Sequence, residues 1–193
     1  MADTITQSTP EATSAPIVKT DKCIIRAYVP SDAEPMSAAA NFPEIVQYMR
    51  NTFPHPYTVE NAKSWINFAT SGDPIVNFAI LTLDGAFAGA IGLNPHKDIE
   101  SRTWEIGYWI GMDYWGKGMA TSALKAFSIW AFSHYPELLR IEAGVFSENV
   151  ASQKVLERVG YTKEGLRRQA VFKKGKIIDQ VTYSLIRDDV KNL

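Results

Sequence analysis

The sequence predicts a mixed α/β domain in which helices pack on one sheet. Apolar residues make up 46% of the 193-residue chain, close to the globular norm, so a packed core is expected. Apolar periodicity gives the order strand, two or three helices, three strands, helix, strand, helix, and two or three final strands. Asp84-Gly85 lies between two apolar runs, which favours a tight antiparallel hairpin. Together these observations indicate a mixed, mostly antiparallel sheet.

The first half of the chain supplies one strand and the early helices. Residues Cys23–Val29 are predicted as a strand, and Asp32 is a suitable N-cap for a helix that continues to about Asn41. A second helical stretch covers Glu44–Arg50. Alternating prolines exclude helix from the following segment, FPHPY, and Thr58 caps the next helix.

The second half alternates strands and helices. Two strands flank the Asp84-Gly85 turn, a further strand is predicted over Thr103–Ile110, and a helix follows and ends at Pro136. Another strand, a helix closed by Gly160 and a last hairpin turned at Lys174-Gly175 complete the domain. The remaining predicted bounds are Ile75–Leu83, Ala86–Leu93, Ile141–Phe146 and Val150–Val159.

Composition limits the classes of function. A formal charge of −1 argues against a general electrostatic grip on nucleic acid or an anionic membrane. Cys23 is the only cysteine, so no intrachain disulfide forms, and the three histidines are isolated, so no metal site is predicted. Residues 1–18 are rich in Ser, Thr, Pro and Ala and are expected to be a disordered tail before a domain at 19–193. They lack the features of a secretory signal, and a cytoplasmic location is expected, with the nucleus also open.

A glycine-rich stretch, GMDYWGKGMATSAL, joins a predicted strand to a helix and admits several interpretations. A P-loop requires Ser or Thr after Lys117, where the chain has Gly118. A dinucleotide fingerprint requires a third glycine where Thr121 stands. Free backbone N–H groups at a helix start can instead hold a diphosphate without metal. A turn without any ligand is the remaining alternative.

Two motifs resemble the GNAT superfamily of N-acetyltransferases. GYWIGMDYWGKGMATSAL resembles the acyl-CoA loop of that family, with Gly118 and Ala120 at its last two positions and Trp115 in place of the usual Arg or Gln. SENVASQKVLERVGYTKEG resembles a segment of the branch typified by RimJ and RimL. The resemblance covers roughly residues 23–189. It implies a GNAT-like fold whose mostly antiparallel sheet, with helices on both faces, splays between its fourth and fifth strands to hold acetyl-CoA.

The resemblance also implies a set of cofactor-binding residues at the strand end, the loop and the following helix. The backbone of the strand end is expected to donate to the acyl oxygen, and the loop amides are expected to hold the diphosphate. These residues are Trp109, Ile110, Trp115, Gly116, Lys117, Gly118, Met119, Ala120, Thr121, Asn149 and Ser152.

Glu105 and Ser152 are the catalytic candidates. Strand alternation places Glu105, Gly107 and Trp109 on one face, and Glu105 matches the position of a general base in the family. A substrate-orienting or structural carboxylate and a solvated strand residue are the alternatives. Ser152 matches a serine that the branch places near the CoA sulfur, with helix-start hydrogen bonding as its alternative. Leu156 stands where many members of the family carry a tyrosine acid.

The acceptor is expected to be a small-molecule amine or a peptide N-terminus, and a homodimer is possible in this branch. His55 and Tyr57 are candidates for the acceptor wall, because they lie in the FPHPY loop. Asp179 is a candidate contact for a cationic amine or a solvated strand-end residue. The competing functions are an acyl-CoA-binding sensor that lacks activity, which Leu156 motivates, and nucleotide hydrolysis.

Overall fold

The computed structural model describes residues 14–193, which form an eight-stranded mixed sheet with helices on both faces. The strands are β1 Pro16–Lys19, β2 Ile24–Arg26, β3 Asn77–Leu81, β4 Phe87–Pro95, β5 Thr103–Ile110, β6 Arg140–Phe146, β7 Thr162–Lys173 and β8 Lys176–Ile186. The helices are α1 Ala33–Ala40, α2 Pro43–Val46, α3 Val59–Thr70, α4 Met119–His134 and α5 Val150–Val159.

The strand order is β1-β2-β3-β4-β5-β6-β8-β7. Within the described residues, β5 and β6 are parallel and every other neighbouring pair is antiparallel. The expected mostly antiparallel sheet is confirmed. β1 was not predicted as a strand, so the fourth and fifth strands of the sequence prediction are β5 and β6.

The N-terminal boundary of the domain differs from the prediction. Pro16–Lys19 forms β1 and pairs with β2, so residues 16–18 belong to the sheet and their assignment to the tail is wrong. The short run PIVK follows a segment rich in Ser, Thr and Pro, and tertiary pairing decides its conformation. Residues 1–13 of the predicted tail lie outside the described part of the chain.

The two faces of the sheet carry separate apolar cores. The larger core lies between the sheet and helices α4 and α5, and a second core packs the opposite face against α1 and α3. Strand alternation in β5 follows this division, because Trp104, Ile106 and Ile110 enter the larger core and Trp109 enters the second. Glu105 and Gly107 therefore lie on the face of α1 and α3, as the alternation predicts.

Local sequence signals account for several element ends. The Thr58 hydroxyl accepts from the Asn61 N–H (3.2 Å) at the start of α3, which is an N-cap in the usual sense. Asn149 caps α5 through its side-chain oxygen, and Gly160 ends that helix in a left-handed conformation. The predicted α5 and β5 bounds agree with the structure, and the Lys174-Gly175 turn joins β7 to β8.

Candidate active site

The site is organised by the short parallel junction between β5 and β6. The two strands pair over three positions only, Thr103 with Arg140, Trp104 with Ile141 and Glu105 with Glu142. Beyond Glu105, β5 continues for five residues beside β4 while β6 continues beside β8. The strands therefore part after Glu105 and leave a V-shaped splay, with α4 starting near one strand and α5 near the other.

Glu105 lies at the vertex of this splay. Its side chain is 22% exposed and forms an ion pair with the Arg50 guanidinium, whose side chain is 70% exposed. Arg50 lies in the loop after α2 and is separated from Glu105 by 55 positions in the chain. The carboxylate lies on the face of the sheet that carries α1 and α3, and a partly buried charge there requires a partner or a ligand.

The surface beside Glu105 has room for a ligand. Gly107 is exposed, and a Cβ added to it would meet no atom within 4 Å. On β6, the matching position is Gly144, and the side-chain amide of Gln180 lies over it within 2.3 Å of an added Cβ. Arg167 donates to the Gln180 oxygen (2.8 Å) and holds that amide in place. The splay is therefore open at Gly107 and covered at Gly144.

The glycine loop has the backbone conformation that an anion site requires. Gly116 and Gly118 have φ values of 72° and 77°, and a Cβ at either position would contact nothing within 4 Å. Gly118 is the N-cap of the 16-residue helix α4. The first N–H groups of such a helix, from Met119 onward, have no intrahelical acceptor. The exposed loop and the positive end of the helix dipole suit a diphosphate.

The side chains of the same loop are engaged with the protein itself. The Trp115 indole N–H donates to the Ile110 carbonyl (2.6 Å), and Lys117 Nζ donates to the Asp113 carbonyl (2.7 Å). Met119 is buried in the larger core. Any contact of these residues with a diphosphate is therefore best assigned to their backbone N–H groups, as expected for a loop that lacks the usual Arg or Gln.

The end of β5 separates two residues that were both predicted to bind the cofactor. The Gly111 N–H donates to the Ala88 carbonyl of β4 (2.8 Å). Antiparallel alternation then turns the backbone groups of Trp109 toward β4 and those of Ile110 toward the splay. The Trp109 side chain is 9% exposed in the second core, with ring centroids 6.0 Å from Phe87 and 6.3 Å from Phe53. Neither part of Trp109 faces the splay, so this geometry does not support its assignment to the cofactor site, which stays a prediction.

Ser152 and Asn149 lie at the start of α5, on the other side of the splay. The Asn149 side-chain oxygen accepts from the Ser152 N–H (3.1 Å). The Ser152 hydroxyl lies 2.9 Å from the Tyr108 hydroxyl of β5. Tyr108 was not selected from the sequence, because its alternation with Trp104 and Ile106 marks it as an ordinary core residue.

The residues predicted to lie on the acceptor side differ in exposure and in hydrogen bonding. His55 is exposed in the loop before α3. Tyr57 is 4% exposed within the second core, and its burial raises its pKa to about 12. This placement gives Tyr57 a packing role in the second core, and its assignment to the acceptor wall stays a prediction. Asp179 accepts from the Gln169 N–H (2.7 Å) at a bulge of β7, so its carboxylate already has a structural partner.

The loop after α2 also reaches the tip of the β7–β8 hairpin. Lys173 Nζ donates to the Met49 carbonyl, and the Asn51 amide donates to the Phe172 carbonyl (3.2 Å). Lys173 is 5% exposed, and burial lowers its pKa. These contacts join elements more than 120 residues apart, a distance over which helical or strand periodicity carries no signal.

Residues 14–193 contain no group of three His, Cys, Asp or Glu side chains that could hold a metal ion. Over the same residues, no helix combines the length and the apolar character needed to cross a bilayer.

The splayed sheet and the glycine loop before α4 agree with the acetyltransferase fold that the sequence resemblance implies. The family model described as "Acetyltransferase (GNAT) domain" matches residues 22–162. The chain therefore belongs to the GNAT acetyltransferase family and is an N-acetyltransferase by class.

Individual relatives agree with this family. The chain is 32% identical to an uncharacterized N-acetyltransferase, p20, of Bacillus licheniformis, over 87% of this chain and 94% of the relative. It is 31% identical to the uncharacterized N-acetyltransferase YoaA of Bacillus subtilis, over 89% and 97%. Among solved structures, RimJ of Mycobacterium smegmatis in complex with CoA-disulfide is similar with a TM-score of 0.76 and 25% identity, over 87% of this chain and 83% of RimJ.

Proposed function

We propose that the chain transfers an acetyl group from acetyl-CoA to a primary amine, with Glu105 as the base that receives the amine proton. The observation that carries this proposal is the position of Glu105 at the vertex of the splay, beside the open surface at Gly107. A carboxylate that borders an open surface on a rigid strand is a suitable general base.

Acetyl-CoA supplies a thioester, whose carbonyl carbon is the electrophile and whose thiolate is the leaving group. The residues proposed to hold it are the backbone N–H groups of Gly116–Thr121, for the diphosphate, and Asn149 with Ser152 on the α5 side. The Ile110 N–H, which faces the splay, is proposed to donate to the acyl oxygen as negative charge develops there.

Glu105 has one task at the acceptor. An acceptor ammonium must lose a proton before its nitrogen can attack, and the Glu105 carboxylate accepts that proton directly or through one water. No acyl-enzyme is proposed, because the lone thiol, Cys23, is buried and burial raises its pKa. A protonated, inaccessible thiol is a poor nucleophile.

The acceptor is either a small-molecule amine, such as an amino sugar, a polyamine or an amino acid, or a peptide N-terminus. His55, which is exposed in the loop before α3, is proposed to contact the acceptor. The loop after α2, which carries Arg50 to Glu105 and also contacts the β7–β8 hairpin, is proposed to form the adjoining wall. One panel with glucosamine, spermidine and an Ala-starting peptide, read by CoA thiol release, separates these classes.

The same panel distinguishes the enzyme from a CoA-binding sensor. Leu156 is fully buried in the larger core, and this apolar residue at the position of the family's tyrosine favours the sensor. Binding of acetyl-CoA without turnover on any amine would support the sensor and overturn the proposed function.

Glu105→Gln tests the base, and Glu142→Gln is its matched control. The two glutamates are paired in register on adjacent strands, but Glu142 interacts with Arg140 and His96. Glu105→Gln should lower kcat by roughly 10²–10⁴-fold near neutral pH, the usual contribution of a general base, while CoA affinity is kept. Glu142→Gln should leave kcat unchanged. Equal activity of the two variants would remove Glu105 as the base.

A further inference from the structure

A pair of hydroxyl groups bridges the two sides of the splay. The Tyr108 hydroxyl, from the part of β5 that has left β6, lies 2.9 Å from Ser152 Oγ in the first turn of α5. It also lies 3.4 Å from the Ser152 carbonyl oxygen. The two residues are 44 positions apart, so the contact is a product of the fold and joins both borders of the proposed thioester site.

The Tyr108 phenol keeps its proton at neutral pH. Burial raises its pKa to about 12, although the hydrogen bond with Ser152 acts in the opposite direction. A protonated phenol has one O–H donor, and both of its acceptors within reach belong to Ser152. The geometry therefore favours Tyr108 as the donor and Ser152 Oγ as the acceptor.

A second tyrosine–serine pair, which is buried, shows what is particular about the Tyr108–Ser152 pair. The Tyr161 hydroxyl lies 2.8 Å from Ser128 Oγ, and the Ser128 hydroxyl donates to the Leu124 carbonyl (2.8 Å). The Ser128 hydrogen is thus already used within α4. Among residues 14–193, the Ser152 hydroxyl has no partner other than Tyr108. When Tyr108 donates to it, the Ser152 hydrogen remains available to a ligand in the splay.

We propose that Tyr108 is a positioning residue, which donates to Ser152 Oγ and thereby directs the Ser152 O–H toward the sulfur of the leaving CoA thiolate. This inference rests on the proposed function. The new bond joins the amine nitrogen to the acyl carbon, the carbon–sulfur bond breaks, and its electron pair remains on sulfur. Glu105 takes the proton that the amine loses.

Neither hydroxyl gives up its proton in this step. An ordinary thiol has a pKa of about 8.5, far below that of a phenol or an alcohol, so full transfer to the thiolate would be unfavourable. Ser152 instead donates a hydrogen bond to a charged acceptor, which is stronger than one between neutral groups. Solvent supplies the proton that completes the CoA thiol.

Titration of bound CoA tests the proposal without turnover. The thiolate of CoA absorbs in the ultraviolet, so its pKa can be measured in complexes with the wild-type protein and with Tyr108→Phe, Ser152→Ala and the double variant. We expect either single substitution to raise the pKa of the bound thiol by about one pH unit, the size of a lost hydrogen bond to a charged group. The double variant should match Ser152→Ala, because Tyr108 acts through Ser152.

Tyr161→Phe is the matched control, since it removes a buried phenol from a serine outside the splay. It should leave the pKa of the bound thiol as in the wild type. Acetyl transfer should fall about tenfold in kcat in Tyr108→Phe, with little change in the KM for acetyl-CoA. A wild-type pKa of bound thiol in Tyr108→Phe, or an added effect in the double variant, would overturn the proposal.

The titration also separates this inference from the proposed function. If no amine of the panel is acetylated, the proposed function is contradicted. A raised pKa of the bound thiol in Tyr108→Phe and Ser152→Ala would still show that the hydroxyl pair acts on the sulfur. If Tyr108→Phe does not fold, the test uses Ser152→Ala alone. This variant must raise the pKa of the bound thiol. An unchanged pKa contradicts the proposal.

Discussion

The Arg50 guanidinium lies against the Glu105 carboxylate and ties the loop after α2 to the vertex of the splay. The pair joins a mostly exposed arginine to a mostly buried glutamate. Under the proposed function, an acceptor ammonium that approaches Glu105 meets a cation already bound to the same carboxylate. We therefore predict that Arg50 competes with cationic acceptors.

Arg50→Gln should strengthen the binding of cationic acceptors. Removal of the competing guanidinium is expected to lower the KM for spermidine about two- to fivefold, the range of an exposed ion pair. Steady-state kinetics at low salt would measure the effect, which should shrink as ionic strength rises. Lys125→Gln, an equal charge change on an exposed position of α4, is the control. A higher KM in Arg50→Gln would show instead that Arg50 binds the acceptor.

The backbone of the glycine loop can be tested by comparing two glycines. Gly118 in the loop and Gly85 in the β3–β4 hairpin have φ values of 77° and 91°, and a Cβ at either meets nothing within 4 Å. Alanine should therefore cost about 1–2 kcal/mol of unfolding free energy at both positions through backbone strain alone. Only Gly118→Ala should also weaken CoA binding in calorimetry. Equal CoA affinity in the two variants would remove Gly118 from the site.

A buried ion pair supports the second core, away from the proposed chemistry. Arg26 and Asp32 have side chains 10% and 6% exposed and share two hydrogen bonds of 2.7 and 2.8 Å. Asp32→Ala leaves a buried guanidinium without its counterion, so it should lower the free energy of unfolding by about 3–5 kcal/mol. Urea denaturation would measure this loss. Asp188→Ala, which removes an exposed pair with Lys191, should change stability by less than about 0.5 kcal/mol.

Acid stability should depend on Glu164. The hydrogen bonds from Arg140, and then from Ser184, lower its pKa to about 2 from 4.5. Because the pKa is lower in the folded state, this carboxylate stabilises the protein above pH 4.5, and the contribution is lost as pH falls toward 2. The side chain is 38% exposed, so solvent screening reduces the contribution to about 1 kcal/mol. Denaturation of Glu164→Gln at several pH values should show a smaller loss of unfolding free energy toward acid pH than the wild type. Parallel curves of unfolding free energy against pH for the two proteins would contradict the role of Glu164 in acid stability.

The sequence predicts those features that depend on local pattern. The alternation in β5 places Glu105 and Gly107 on one face, and Asn149 and Gly160 mark the ends of α5. The start of α4 after Gly118 can be predicted from its local glycine-rich sequence in the same way. Each of these signals lies within a few residues of the feature that it specifies.

Features that depend on contacts between distant segments were not predicted. Arg50 reaches Glu105, and Tyr108 reaches Ser152, only because the sheet and the loops bring them together. The burial of Tyr57 and Trp109 was not predicted, because an aromatic residue near a proposed site looks the same in sequence whether it lines a cleft or fills a core. β1 was missed because four residues beside a polar segment carry little periodicity.

The short parallel junction has a consequence for the solution behaviour of the protein. Within residues 14–193, β5 and β6 each have, after three paired positions, an inner edge without a neighbouring strand, which on β5 is occupied only at the Ile110 carbonyl by the Trp115 indole N–H. These edges add to the outer edges of β1 and β7. Free edges are templates on which foreign strands can add and begin aggregation. The amide-bearing pantetheine arm of the donor would cover these inner edges with hydrogen bonds of the same kind. The cellular concentration of acetyl-CoA would then determine how long the enzyme stays folded and unaggregated, as well as its rate of turnover.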